Sequence, residues 1–319
     1  MQNLRQNLRS NRIPISRRRH IQFRLRQLNI ARLRIRYGEF SYHLPATRRL
    51  GFPAGIGILF AFKDDSALKA HPDYREAKGG DGDAATRLVV QLGLPLLGQV
   101  RDTFESGLVY VAPHAHEALG DNAIPQVLAT ALSLFADGVV DYDIVQATKV
   151  YHTGADPMER LNARPQFKGR VDTGKKYVLV DDVTTMGGTL AELAHFIQAR
   201  GGIVEGVVVL VNASRSGMLQ PQKKVVRLLT ERFGHEITEI CGIEPSALTA
   251  DEANYLVGFR TADEIRNRKA AAAKETTRRL RSKGIFGFGQ PERLAAFDIA
   301  LAAHFRRAFW RQYRRKRLT

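Results

Sequence analysis

The pattern of apolar and polar positions between residues 107 and 213 predicts an α/β domain. Apolar runs of strand length are followed by polar loops and then by stretches with the apolar spacing of helices. The predicted strands are 108–112, 139–150, 177–180 and 204–211, and the predicted helices are 124–135 and 189–200. This alternation predicts a doubly wound parallel sheet covered by crossover helices. A ligand site is then expected beyond the carboxyl ends of the strands.

The flanking segments carry weaker signals. Segment 55–62 suits a buried strand and segment 83–92 a helix. The tetrapeptides that start at Thr249 and Thr261 both fit a capping box, so two helices are expected there, the second reaching residue 282. We expect the following organisation: a basic N-terminal extension with a possible hairpin (1–50), a core with a hood segment (51–215), a helical C-terminal part (216–284) and a basic tail (285–319).

The segment 177–189 contains the sharpest chemical signal of the chain. Its sequence, Tyr-Val-Leu-Val-Asp-Asp-Val-Thr-Thr-Met-Gly-Gly-Thr, is an apolar strand, two acids and a hydroxyl-rich and glycine-rich loop that opens a helix. Adjacent carboxylates at a strand end, here Asp181 and Asp182, suit two vicinal sugar hydroxyls or a hydrated divalent cation. The helix N-terminus favours a phosphate, because its N–H groups are unpaired and the helix dipole is positive there. A ribose 5-phosphate satisfies both halves of this pattern.

At residues 178–189 the sequence resembles the type I phosphoribosyltransferases, and the resemblance extends over about 107–213. It implies the Rossmann-like sheet of that family, with a small hood, and binding of 5-phosphoribosyl-1-pyrophosphate (PRPP). Asp181 and Asp182 would hold the ribose hydroxyls. The 5-phosphate would be held by the loop residues Val183, Thr184, Thr185, Met186, Gly187, Gly188 and Thr189.

The resemblance also implies where pyrophosphate would bind. Its first contact would be the loop 113–122, its second Lys149 at a strand end, and its third a flap formed by residues 151–174. The flap cations available to close over pyrophosphate are Arg160, Arg164, Lys168 and Arg170. Mg²⁺ would arrive with PRPP, with Asp181 and Asp182 as its candidate protein ligands.

The implied activity is transfer of 5-phosphoribosyl from PRPP to a nucleobase-like acceptor, with release of pyrophosphate. Two departures from the family pattern limit this expectation. Met186 stands where these enzymes commonly have a small residue or threonine, and Thr185 stands where 6-oxopurine enzymes carry an aspartate. Because of the threonine at position 185, hypoxanthine and guanine are disfavoured as acceptors. The base would bind in a hood built from segments such as 34–62 or 216–260, and family resemblance alone implies a homodimer.

Charge is concentrated at the two ends of the chain. Residues 1–50 contain thirteen arginines and one acid, and residues 304–319 contain seven basic residues and no acid, whereas the remainder is close to neutral. Such ends suit a polyanion, and their interleaved aromatic residues suit stacking on bases. The alternative function is therefore a PRPP-sensing or nucleotide-sensing regulator that binds nucleic acid through its ends. A third possibility is a ribose-phosphate-binding protein without catalysis.

Several classes of protein are disfavoured by composition. One cysteine excludes a disulfide framework, and the longest apolar run is too short to cross a membrane. The arginines at 17–19 are not followed by an apolar segment, so export is not expected and a cytoplasmic protein is the default. His114 and His116 lack a third partner for zinc. Lys78-Gly-Gly-Asp-Gly-Asp83 matches no nucleotide-binding motif and suits a turn that caps the next helix.

Overall fold

The computed structural model describes residues 46–113, 116–117, 120–148, 150 and 154–282. The expected N-terminal hairpin, His114, Lys149 and the basic tail lie outside these residues. The described chain divides into two units, with the boundary between Lys269 and Ala270. Within the described residues, we find no helix with both the length and the apolar character that a membrane crossing requires.

Nine strands are described, and five of them form one parallel sheet. They are β1 (Ile58–Phe62), β2 (Val109–Val111), β3 (His116–Glu117), β4 (Gly120–Asp121), β5 (Val139–Asp141), β6 (Val145–Gln146), β7 (Phe167–Lys168), β8 (Lys176–Thr184) and β9 (Ile203–Asn212). The sheet order is β1-β9-β8-β2-β5. Antiparallel pairs are formed by β3 with β4 and by β6 with β7.

Eleven α-helices are described. They are α1 (Ser66–Lys69), α2 (Tyr74–Lys78), α3 (Gly82–Leu92), α4 (Leu94–Thr103), α5 (Ile124–Phe135), α6 (Pro157–Asn162), α7 (Gly188–Gln198), α8 (Lys223–Phe233), α9 (Glu236–Cys241), α10 (Ala250–Leu256) and α11 (Ala262–Ser282). A 3₁₀ turn, Pro245–Ala247, precedes α10.

The sheet is covered on both faces, because successive side chains of a strand point to opposite sides. On β8, Val178 and Val180 belong to the core that contains α3, α4 and α5. Tyr177 and Leu179 belong to the second core, which contains α7. The predicted α/β class with a doubly wound parallel sheet is confirmed.

Three segments differ from the sequence expectation. β8 continues to Thr184, so both acids of the motif lie within the strand. The expected strand 139–150 is broken after Asp141, because a carboxylate oxygen of Asp141 accepts the N–H groups of Asp143 and Ile144 and turns the chain. The long connection 151–174 contains α6, which begins with the capping box formed by Asp156 and Glu159.

Both helices predicted from capping boxes are present. At α10, Thr249 and Glu252 satisfy each other's backbone N–H groups, which is the complete capping box. At α11, the Thr261 hydroxyl accepts the N–H of Glu264, but the Glu264 carboxylate accepts from Arg260 instead of Thr261. The helices α1, α2, α4 and α6 were not predicted, and α8 and α9 lie within the segment 216–284, which was expected to be helical without individual bounds.

Candidate active site

A cleft of about 310 Å³ opens at the carboxyl end of β8. The predicted motif contributes its acids and its loop, residues 183–189, which we call the phosphate loop. Other elements complete the wall: α1 and α2, the start of α5, and the connection that contains α6. The lining side chains from outside the motif include Arg48, Asp65, Lys69, Tyr74, Lys78, Asn122, Gln146, Arg160, Arg164 and Glu252.

The two acids of the motif have different surroundings. Asp182 is buried, with 3% of its surface exposed, and Asp181 is half-buried. One oxygen of Asp182 accepts the N–H of Val183 at 2.9 Å. The other accepts from the side-chain amide of Asn122 at 3.2 Å and lies 2.9 Å from the ammonium nitrogen of Lys78. Asp181 accepts the N–H of Asp182 at 2.9 Å.

Within the phosphate loop, Gly187 has a left-handed backbone conformation and immediately precedes α7. Gly187 has φ of 75°, a conformation that side chains with a Cβ rarely adopt, and it is the N-cap of the helix. A Cβ at Gly188 would lie 3.0 Å from a carboxylate oxygen of Glu252. The two glycines therefore permit a turn and a close approach, and they leave the helix N-terminus at the cleft, where an anion is favoured.

The phosphate loop is anchored from the start of α10. The hydroxyl of Thr249 donates to the carbonyl oxygen of Met186 at 2.6 Å. The same hydroxyl accepts the N–H of Glu252 at 3.1 Å. Residue 186 therefore contributes to the loop through its backbone, which does not depend on the side chain that departs from the family pattern.

Arg160 joins the flap segment to the phosphate loop. Its guanidinium donates from Nη1 to the hydroxyl of Thr185 at 3.1 Å and from Nε to the carbonyl of Ala155 at 3.0 Å. A half-buried guanidinium beside this loop adds positive charge at the N-terminal end of α7, where an anion is favoured.

Below the loop lies a buried ion cluster formed by Arg48, Arg164, Glu192 and Glu252. Arg48 has no exposed surface, and it donates to Glu192 at 3.0 Å and to Glu252. Arg164 donates to both carboxylate oxygens of Glu192, at 2.6 and 3.1 Å. The cluster has two positive and two negative charges, so buried charge is balanced by direct pairing.

The structure places Arg164 in the buried ion cluster. Sequence reasoning grouped it with the flap cations, whereas the residue is only 7% exposed, and its guanidinium donates to Glu192 and to the carbonyls of Ala46 and Gly242. Arg164 lines the cleft as part of the support under α7. Its hydrogen bonds hold the N-terminal segment, α7 and the end of α9 together.

The other predicted flap cations lie farther from the motif. Lys168 is exposed on β7 and does not line the cleft. Arg170 is exposed and pairs with Asp172 at 3.1 Å. Only the backbone of His116 is described, as part of β3, and Lys149 lies outside the described residues.

The carboxylates of the cleft are a poor cage for a metal held by the protein alone. Among the residues that the structure describes, no group of three or more His, Cys, Asp or Glu side chains is arranged to bind a metal. Asp182 already faces the ammonium group of Lys78. The donor set fits a cation that is bound mainly by ligand oxygens, with Asp181 as the half-buried carboxylate beside it.

His195 on α7 has a lowered pKa, chiefly because it is partly buried. Burial lowers its pKa, the negative charge of Glu192 raises it, and the nearby arginines, first among them Arg48, lower it further. The resulting pKa is below the ordinary value of 6.5. Nδ1 of the His195 imidazole accepts a hydrogen bond from the backbone N–H of Leu50 at 3.4 Å.

Sequence reasoning missed four contributors to the site. Arg48 was one of thirteen N-terminal arginines and had no distinguishing signal. Thr249 was identified as a helix cap, but its contact with the loop joins residues that are far apart in the chain. Asn122 ends the loop 113–122, which was expected to contact pyrophosphate, but its hydrogen bond to Asp182 was not expected. Lys78 was the start of a glycine-rich turn, and the segment does cap α3, because Asp81 accepts the N–H of Ala84 at 2.8 Å.

Known proteins resemble parts of this chain. Residues 119–241 match the family model of the phosphoribosyl transferase domain. Protein TraN of Escherichia coli is 35% identical over 223 residues, which are 68% of this chain and 50% of TraN. The orotate phosphoribosyltransferase of Pyrococcus furiosus is 30% identical over 122 residues, which are 38% of this chain and 59% of that enzyme. The chain therefore spans half of TraN and somewhat more of the orotate enzyme.

A solved structure provides a further comparison. The adenine phosphoribosyltransferase of Leishmania donovani aligns with 49% of this chain and 75% of its own, at 12% identity and a TM-score of 0.27. The family match covers the strand, acids, loop and helix of the motif, and it includes β8, α7 and β9. Residues 119–241 are therefore similar in sequence to phosphoribosyl transferase domains.

Proposed function

We propose that the protein is a PRPP-dependent phosphoribosyltransferase that transfers the 5-phosphoribosyl group to a nitrogenous base. The observation that carries this proposal is the shared cleft of two chemically different features. The carboxylates of β8 and the anion-binding N-terminus of α7 are separated by only the phosphate loop and open into the same space. A sugar phosphate satisfies both at once.

In this proposal the motif residues bind the two ends of the ribose 5-phosphate. Asp181 and Asp182 accept hydrogen bonds from the ribose hydroxyls. Residues 183–189 donate backbone N–H groups to the 5-phosphate, with hydroxyls of Thr184, Thr185 and Thr189 as further donors. The guanidinium of Arg160 at the Thr185 hydroxyl supports its assignment to the bound phosphates.

The proposed reaction is a displacement at the anomeric carbon. The bond from this carbon to the pyrophosphate oxygen breaks, a bond to the acceptor nitrogen forms, and the proton of that nitrogen is released. Mg²⁺ bound to PRPP would supply positive charge to the leaving pyrophosphate. Lys149 and Arg160 are assigned to hold the same group, and closure of the segment 151–174 would exclude water from the sugar cation.

The proposed acceptor of the phosphoribosyl group is a nitrogenous ring. Thr185, which replaces the aspartate of 6-oxopurine enzymes, argues against hypoxanthine and guanine. The cleft wall also includes Asp65, Lys69 and Tyr74, which lie outside the two hood segments expected from sequence. Lys69 pairs with Asp65 at 2.8 Å, and this hydrogen bond raises the Lys69 pKa.

The test is titration calorimetry of PRPP with Mg²⁺ into the wild type and into the double variant Asp181→Asn and Asp182→Asn. We expect saturable binding by the wild type and its loss in the double variant. The control is Asp102→Asn, since Asp102 is exposed on α4 and does not line the cleft. Binding that survives in the double variant, or an absence of binding by the wild type, would refute the proposed site.

Pyrophosphate release during incubation with a panel of bases then separates a transferase from a protein that only binds PRPP. A homodimer in the cytoplasm is the expected form of this enzyme. Sedimentation at several protein concentrations tests the dimer.

The alternative function is a nucleotide-sensing regulator that binds nucleic acid through its arginine-rich ends. The observation that favours it is the concentration of basic residues in 1–50 and 304–319. It predicts nucleic-acid binding by the full chain that weakens steeply with salt. Affinity without salt dependence, or no affinity, would contradict it.

A further inference from the structure

Lys78 reaches the cleft from outside the part of the chain that matches the family model. It is the last residue of α2, whereas the family match begins at residue 119. Its ammonium nitrogen lies 2.9 Å from Oδ2 of Asp182, and its side chain is 11% exposed. Lys78 therefore contacts one of the two acids of the motif within the cleft.

The backbone fixes the position of Lys78. The carbonyl of the preceding residue, Ala77, accepts the N–H of Ala123 at 3.0 Å, which attaches the end of α2 to the start of α5. On the other side, Asp81 caps α3. Between them, Gly80 has φ of 101°, which allows the chain to turn directly from α2 into α3. The backbone of this turn therefore fixes where the Lys78 side chain starts and directs its ammonium group to Asp182.

Asp182 needs this cation. It is 3% exposed, and burial of an unpaired carboxylate is costly. Its other described partners, the side-chain amide of Asn122 and the N–H of Val183, are neutral donors. Lys78 supplies the positive charge that balances Asp182. Together the three donors hold the carboxylate in one orientation at the floor of the cleft.

We infer that Lys78 is a positioning residue of the sugar-phosphate site. It holds the Asp182 carboxylate in the orientation that the sugar hydroxyls require, together with Asn122 and the N–H of Val183. The inference rests on the proposed function, because it concerns the same bound ribose phosphate. It assigns a role to the turn 78–83, which neither the resemblance nor the family match includes.

The experiment compares Lys78→Met, which keeps most of the aliphatic stem, with Lys78→Arg, which keeps the charge. Titration calorimetry with ribose 5-phosphate and with PRPP and Mg²⁺ measures affinity, and urea unfolding measures stability. We expect Lys78→Met to bind both ligands about tenfold more weakly, and Lys78→Arg to recover most of the loss. The matched control is Lys176→Met, since Lys176 lies at the opposite end of β8 and pairs with Glu105 and Glu205.

A double-mutant cycle keeps the inference testable if Lys78→Met alone does not fold. The double variant Lys78→Met and Asp182→Asn removes both charges of the ion pair, so neither partner is left buried and unpaired. If Lys78 acts through Asp182, the double variant binds as Asp182→Asn alone does. A further loss of about tenfold in the double variant would show that Lys78 acts separately, and would overturn the inference.

Two other outcomes distinguish the inference from the proposed function. Wild-type affinity in a folded Lys78→Met variant would overturn the role of Lys78 and leave the proposed function standing. Failure of the wild type to bind either ligand would overturn both.

Discussion

The hydroxyl of Thr249 donates a hydrogen bond to the carbonyl oxygen of Met186 over 2.6 Å, although the two residues are 63 positions apart. This contact fixes the phosphate loop from the start of α10. It connects the start of α10 directly to the residues that we assign to the 5-phosphate. The start of α10 therefore supports the site.

Replacement of Thr249 tests this support. Thr249→Val keeps the shape but removes both the cap of α10 and the bond to the loop. We expect a loss of about 1–2 kcal/mol in the free energy of unfolding and weaker binding of ribose 5-phosphate in calorimetry. Thr249→Ser keeps the hydroxyl and should retain both properties. Equal phosphate affinity in the valine and serine variants would show that the loop does not depend on Thr249.

The buried ion cluster gives a prediction about stability. Arg48→Met leaves Glu252 without its described cation, whereas Glu192 keeps Arg164. We expect the free energy of unfolding, measured in urea, to fall by about 3–5 kcal/mol. Adding Glu252→Gln removes the unpaired charge and should recover part of the loss. A double variant less stable than Arg48→Met would contradict this assignment of the cost.

Arg160 and Arg170 offer a matched pair within the segment 151–174. Arg160 touches the phosphate loop, whereas Arg170 is exposed and paired with Asp172. We expect Arg160→Met to weaken PRPP binding about tenfold, because a guanidinium near phosphate is lost. Arg170→Met should bind PRPP as the wild type does. Equal losses in the two variants would mean that the segment contributes only general positive charge.

His195 predicts a pH dependence of stability. Because the pKa of His195 in the folded protein is below its ordinary value of 6.5, the unfolded chain binds more protons below that pH. His195 therefore favours folding above about pH 6.5, and this contribution is lost as the pH falls through 6.5 toward the folded pKa. Urea unfolding between pH 7.5 and pH 5.5 should show a smaller decline for His195→Gln than for the wild type. Parallel curves would contradict the assignment.

The sequence alone determined the parallel α/β sheet and the motif that resembles the phosphoribosyltransferases. Both signals are local: the apolar spacing of 124–135 gave α5 at its observed bounds, and the order of acids, hydroxyls and glycines in 181–189 described a site within nine consecutive residues. Local patterns are reliable where a strand or helix buries one continuous apolar face. The prediction did not include the bounds of α4 or α8, or the break of the chain after Asp141.

Only the tertiary structure decided which distant side chains complete the site. Lys78, Arg48 and Thr249 reach the motif across 63 to 140 positions, through turns and helix packing that no local pattern encodes. Arg164 shows the same limit in reverse, because its place in a flap-length segment indicated a mobile cation and its partner Glu192 made it a buried support. The role of a charged side chain depends on its ion-pair and hydrogen-bond partners. Those partners are brought together only when the chain folds.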